Sequence, residues 1–115
     1  MEKRFLRALL TVCLLTSVLL GQAAAGQAPQ RIFLSLIDMS GDRMQWQESE
    51  PLEVLRPETE WEGADLEIAP SRRGHIDERV NQLRDPAIFE EDGKVYLLYS
   101  IAGEHGLAIA KLLFE

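Results

Sequence analysis

Cysteine is nearly absent from this chain: Cys13 is the only one, so no internal disulfide can form. The two histidines, His75 and His105, belong to no Cys/His cluster, which argues against a zinc site. No carboxylates occur at the spacing of a calcium loop either, so no metal and no cofactor are expected. Basic residues are outnumbered, with 12 Lys and Arg against 19 Asp and Glu, for a net charge of -7. A chain of that sign is repelled by nucleic acid and by anionic membrane surfaces, and neither is an expected partner. The apolar run from Ala8 to Leu20 is shorter than the roughly 20 residues that a membrane-spanning helix needs.

That run has the organisation of an export signal. Lys3, Arg4 and Arg7 precede it, and the small residues Gly21-Gln22-Ala23-Ala24-Ala25 follow it. The reading is a signal helix over residues 1–25 with cleavage after Ala25, Ala28 being the alternative, and a mature protein that is periplasmic or extracellular. No stable membrane span would remain after cleavage. Removing residues 1–25 takes away three basic residues and Glu2, leaving 9 against 18 and a net charge of -9. The mature part also has no cysteine, so apolar burial or a partner must stabilise it.

The remaining chain reads as all-β. After a short linker at 26–30, Arg31–Asp38 is rich in β-branched and large apolar residues and runs into the turn Met39-Ser40-Gly41-Asp42. Arg43–Gln47 alternates in polarity, which predicts a returning strand with Met44 and Trp46 on one packed face. From Glu48 to Asn81 the pattern loosens around Pro51, Pro57 and Pro70, and only Leu52–Leu55 has the character of a strand. A connection of that length is either functional or solvated linker. The end of the chain is regular again. Ala87–Phe89 leads to the hairpin signal Asp92-Gly93, then Lys94–Ser100, a turn over Ala102–Gly106, and Leu107–Leu112. Both faces of these last strands carry apolar residues, which predicts cover on both sides, as in a propeller blade.

Arg84-Asp85-Pro86-Ala87-Ile88-Phe89 followed by Glu91-Asp92-Gly93-Lys94-Val95-Tyr96-Leu97-Leu98-Tyr99-Ser100 resembles a blade motif of the five-bladed β-propeller glycoside hydrolases of the arabinanase, xylosidase and levanase type. Gly106–Ala110 suits the outer part of such a blade, and Ile32–Trp46 resembles the end of a preceding one. The resemblance implies an all-β partial propeller after the N-terminal signal helix, with part of a blade and a long connection at 31–83 and a final blade at 84–115. It also implies that strand starts face a glycan-binding funnel, which places Asp85 at a binding or pKa-tuning position. Catalysis in these families is metal-independent and uses carboxylates from different blades.

Glycosidic cleavage needs two carboxylates about 5–5.5 Å or about 6.5–9.5 Å apart across one bond. The carboxylates available are Asp85, Glu104, Glu62 and Asp65, and none is assigned a catalytic role. Arg84, Asp85, Glu104 and His105 are the candidate substrate-binding residues. The alternative for Asp85 is a hydrogen-bonding role at a strand entrance, with Pro86 setting the angle. Blades take about 40–50 residues each, and 90 residues follow Ala25. The sequence therefore predicts an exported, hydrolase-like propeller fragment without activity alone. The alternatives are a small glycan- or protein-binding β-domain and a metal-independent glycosidase. An oligosaccharide and a second copy of the chain, meeting through exposed blade faces, are the expected partners.

Overall fold

The computed structural model describes residues 28–114 and, upstream of these, the backbone of residues 6–8 and 16–22. Among the described residues seven strands are formed: β1 (Leu6–Ala8), β2 (Thr16–Gln22), β3 (Ile32–Asp38), β4 (Leu52–Leu55), β5 (Arg84–Glu91), β6 (Lys94–Ser100) and β7 (Leu107–Phe114). They make two sheets, one in the order β1-β7-β6-β5 and the other in the order β2-β3-β4.

The β5–β6–β7 meander follows from local chemistry. Asp92 and Gly93 both take positive φ, 51° and 71°, as a two-residue hairpin turn requires. That turn sets the register from Glu91↔Lys94 to Ala87↔Leu98, and β7 continues it from Val95↔Leu112 to Ser100↔Leu107. The predicted pairing of Lys94–Ser100 between Ala87–Phe89 and Leu107–Lys111 is thus observed. Alternation places Val95, Leu97, Tyr99, Ala108, Ala110 and Leu112 on one face. That face packs on Ile32, Leu34, Val54, Leu55 and Leu83 to form the core. Leu97, Tyr99, Ile32, Leu34 and Leu83 are completely buried.

The propeller expectation is overturned. The chain forms two small antiparallel sheets facing each other, extended at one edge by the parallel β1–β7 pair, and they neither close nor curl into blades about an axis. The apolar pattern on both faces of β5–β7 has a different meaning. The inner face is covered by β3 and β4, whereas on the outer face Phe89 and Leu107 are 49% and 78% exposed. The Asp-Gly hairpin and the Arg-Asp-Pro strand entrance are local devices that any twisted antiparallel pair can use, so they do not specify what packs on the sheet.

Two further expectations are corrected. Where described, the apolar N-terminal run is a strand rather than a signal helix: β2 pairs antiparallel with β3 from Thr16↔Asp38 to Gln22↔Ile32. The open edge of β3 offers a row of backbone hydrogen-bonding groups, and β-branched and leucine-rich sequence accepts it. The cleavage point after Ala25 lies outside the described residues, and among those described no helix is long and apolar enough to cross a membrane. Residues 43–47 do not return as a strand either. The Asp42 side chain accepts a hydrogen bond from the Met44 N–H at 3.0 Å and starts a short 3-10 turn over Arg43–Gln45. Met44 and Trp46 are exposed instead of packed. On its other edge β3 pairs with β4 instead, reached through a bridge between Ile37 and Glu48.

The long connection between β4 and β5 is packed onto the fold. Ile76 is 2% exposed, and the Ala102 N–H donates to the Glu62 carbonyl at 2.9 Å while the Gly103 N–H donates to the Gln82 carbonyl at 3.0 Å. Gly63 sits at φ 95°, and a Cβ there would lie 2.6 Å from the Val80 carbonyl oxygen. Only glycine fits that crossing.

Candidate functional site

The connection and the β6–β7 turn meet at one end of the larger sheet, and charged side chains gather there. Arg84 is the first residue of β5, and its side chain is 6% exposed. Its Nη1 donates to Glu104 Oε1 at 2.9 Å, and its Nη2 donates to the Arg72 carbonyl at 3.3 Å. The other Glu104 oxygen faces His75 Nδ1 at 2.6 Å, and His75 Nε2 faces Asp77 Oδ1 at 2.6 Å. With a carboxylate at each ring nitrogen, only the doubly protonated imidazolium can donate to both. Asp77, and then Glu104, accordingly raise the His75 pKa above its ordinary value. His105 Nε2 lies 2.7 Å from the Asp77 carbonyl oxygen. A carbonyl can only accept, so Nε2 carries the proton there. Arg72 pairs with Glu78 beside the cluster.

Of the four residues expected to bind substrate, Arg84, Glu104 and His105 are brought into this cluster. Asp85 is placed differently. Pro86 follows it, the pairing shifts between Arg84 and Ala87, and Asp85 takes φ 50°. Its carboxylate accepts a hydrogen bond from the Ser100 hydroxyl at 3.3 Å. His75 and Asp77 complete the cluster and were not singled out as site residues. Ser71–His75 carries Arg72, Arg73 and His75 in an otherwise acidic chain, but nothing in the spacing of Asp77 points to His105, 28 residues away.

The cluster fastens the long connection to the sheet. Each Glu104 oxygen is engaged, Arg84 is buried behind it, and His75 joins the two loops. Glu62, a further carboxylate considered for cleavage, is completely buried. Its Oε1 accepts from the Glu58 and Thr59 N–H groups, each at 3.1 Å, and from the Thr59 hydroxyl at 2.9 Å, while its Oε2 accepts from the Tyr99 hydroxyl at 3.3 Å. A carboxylate so enclosed cannot reach a glycosidic bond. Among the described residues, no group of three His, Cys, Asp or Glu side chains is placed to hold a metal ion.

A second feature is the outer face of the larger sheet. Cross-strand rows put Phe89, Tyr96 and Lys111 together, then Ala87, Leu98 and Ile109, with Leu107 beyond. The Phe89 and Tyr96 rings lie 6.4 Å apart in a tilted arrangement.

No known protein family matches the chain, and no solved structure does. The chain is 42% identical over 88 residues to the uncharacterized protein R118 of Acanthamoeba polyphaga mimivirus. The alignment covers 76% of this chain and 25% of that protein, so the chain spans about a quarter of the length of the curated relative it matches. These findings, with the two open sheets, overturn the reading as a glycoside hydrolase-like propeller fragment and its carbohydrate-enzyme descriptors.

Proposed function

We propose that this chain is a non-catalytic β-module that associates with a second copy of itself through the outer face of the β5–β6–β7 sheet. The observation that carries this reading is the one-sided cover of that sheet: its inner face is core, whereas the outer presents Phe89, Tyr96, Leu98, Ile109 and Leu107 as a contiguous set. Contiguous apolar surface of this kind marks interaction sites. A face used by two identical chains must be self-complementary, and a band of aromatic and aliphatic side chains with Glu91 and Lys94 opposite each other at its rim meets that condition. Size sets the strength. Three strands about 4.8 Å apart and about 24 Å long present a few hundred Å², less than the roughly 800 Å² per partner of a stable complex. The association is therefore weak and concentration-dependent.

Sedimentation velocity over a range of concentrations tests it. The full chain should shift from monomer toward dimer as concentration rises, and the double substitution Phe89→Glu with Leu107→Glu should hold it monomeric. Both side chains are exposed, so the variant should keep its fold by circular dichroism. A dimer that survives both charges would overturn the proposal. Contact between an oligosaccharide and Arg84, Asp85, Glu104 and His105 is a weaker proposal, because Arg84 and Glu104 already satisfy each other.

A further inference from the structure

The loop between β3 and β4 forms an open surface cleft of about 240 Å³, lined by Asp38, Ser40, Gly41, Asp42, Gln45, Trp46 and Gln47. Its construction follows from two side chains that hold the backbone in place. Asp38 Oδ1 accepts from the Ser40 N–H at 2.9 Å, and Asp42 Oδ1 accepts from the Met44 N–H at 3.0 Å. These bonds stiffen the walls and fix both carboxylates beside the opening. Among the described residues, neither carboxylate takes part in an ion pair. The third element is Trp46. Its indole N–H donates to the Gly41 carbonyl at 3.1 Å, which locks the ring across the loop while the side chain remains 42% exposed.

The chemistry of these groups selects one class of ligand. The indole N–H is already used, so what Trp46 offers is its ring, whose electron-rich face attracts cations. The carboxylates offer acceptors and negative charge. Residues 38–50 contain Asp38, Asp42, Glu48 and Glu50 against Arg43 alone, and Arg43 does not line the cleft. The size points the same way, since pockets for whole small molecules run to about 300–1,000 Å³. A cleft of about 240 Å³ fits a head group on an aliphatic stem.

We infer that the Trp46 cleft is a binding site for an organic cation, an alkylammonium or guanidinium head group held between the indole face and the carboxylates of Asp38 and Asp42. The site is separate from the outer sheet face and does not depend on self-association. An exposed cation–π contact and exposed ion pairs each contribute modestly, so the dissociation constant falls in the millimolar range.

The test is a titration of the full chain by two-dimensional ¹H–¹⁵N NMR at low salt. The probes are tetramethylammonium, tetralysine and tetraarginine, with xylotriose as an uncharged hydroxylated control. Trp46→Phe assigns the two indole signals, since Trp61 supplies the other. The expected result is saturable movement of the Trp46 indole signal and of the 38–47 amides with at least one cation. Raising the salt should weaken the response, and Asp38→Asn with Asp42→Asn should weaken it by about two- to fivefold per charge removed. The strongest of the three probes identifies the source, either a free quaternary cation or a basic peptide side chain. Unchanged signals elsewhere verify that the variants fold. No saturable movement with any cation would overturn the inference. So would equal affinity in the Asn variants, or a response to xylotriose alone.

Discussion

Glu62 carries a completely buried carboxylate whose Oε1 receives three donors from residues 58 and 59 and whose Oε2 receives the Tyr99 hydroxyl. Removing it strands buried donors, each of which costs about 1–3 kcal/mol when left unpaired. Glu62→Ala should therefore lower the unfolding free energy by about 3 kcal/mol in urea titrations, and Tyr99→Phe by about 1 kcal/mol. His75 acts through charge instead. Its folded pKa is raised by Asp77 and Glu104, the latter also faced by Arg84, so its contribution is fully present below the ordinary value of 6.5 and is lost as pH rises through the higher folded value. The urea midpoint should fall across that window. His75→Gln should remove this part of the pH dependence, and a midpoint that falls equally in the variant would remove His75 as its origin.

Among the elements, β6 has the clearest physical role. Leu97 is completely buried between the sheets, opposite Ile88 and Ala110. Leu97→Ala should cost about 2–5 kcal/mol, the range for a large core side chain replaced without collapse of the site. Leu98 alternates onto the outer face and is only half-buried, so the same change there should cost much less, and equal values from chemical unfolding would contradict the one-sided packing. The strands β5, β6 and β7 were legible because a single signal, Asp92-Gly93, sets both turn and register, and the alternation on either side agrees with it. The Arg43–Gln47 segment has comparable alternation but forms a 3-10 turn. The Asp42 side chain takes the Met44 N–H and the Gly41 carbonyl takes the Trp46 indole, and these short-range bonds outcompete a ladder only a few residues long.

For the molecule as a whole, the core is shared by the segments before and after residue 83, with Ile32, Leu34, Val54 and Leu55 meeting Leu97, Tyr99, Ala110 and Leu112. The outer face of the larger sheet is left for association, as proposed above. Export is also a proposal at this scale, resting on the basic, apolar and small-residue order of residues 1–25. Mass analysis of material secreted by expressing cells should then find Gly26 at the N-terminus. Retention of Thr16–Gln22 would instead favour a role for β2 in the folded protein, where it lines the edge of β3.

The sequence by itself determined the strands β3, β4, β5, β6 and β7, the hairpin turn at Asp92-Gly93 and the acidic, disulfide-free character of the chain. Each of these depends on neighbours within a few residues or on composition. Only the tertiary structure decided what the apolar faces pack against, since alternation states that a face is apolar but not whether a blade, a second sheet or solvent lies beyond it. It likewise decided that His75 and Asp77 join Arg84, Glu104 and His105. Those contacts cross the long connection, and their geometry exists only once Glu62, Gly63 and Gly103 have fastened that connection to the sheet.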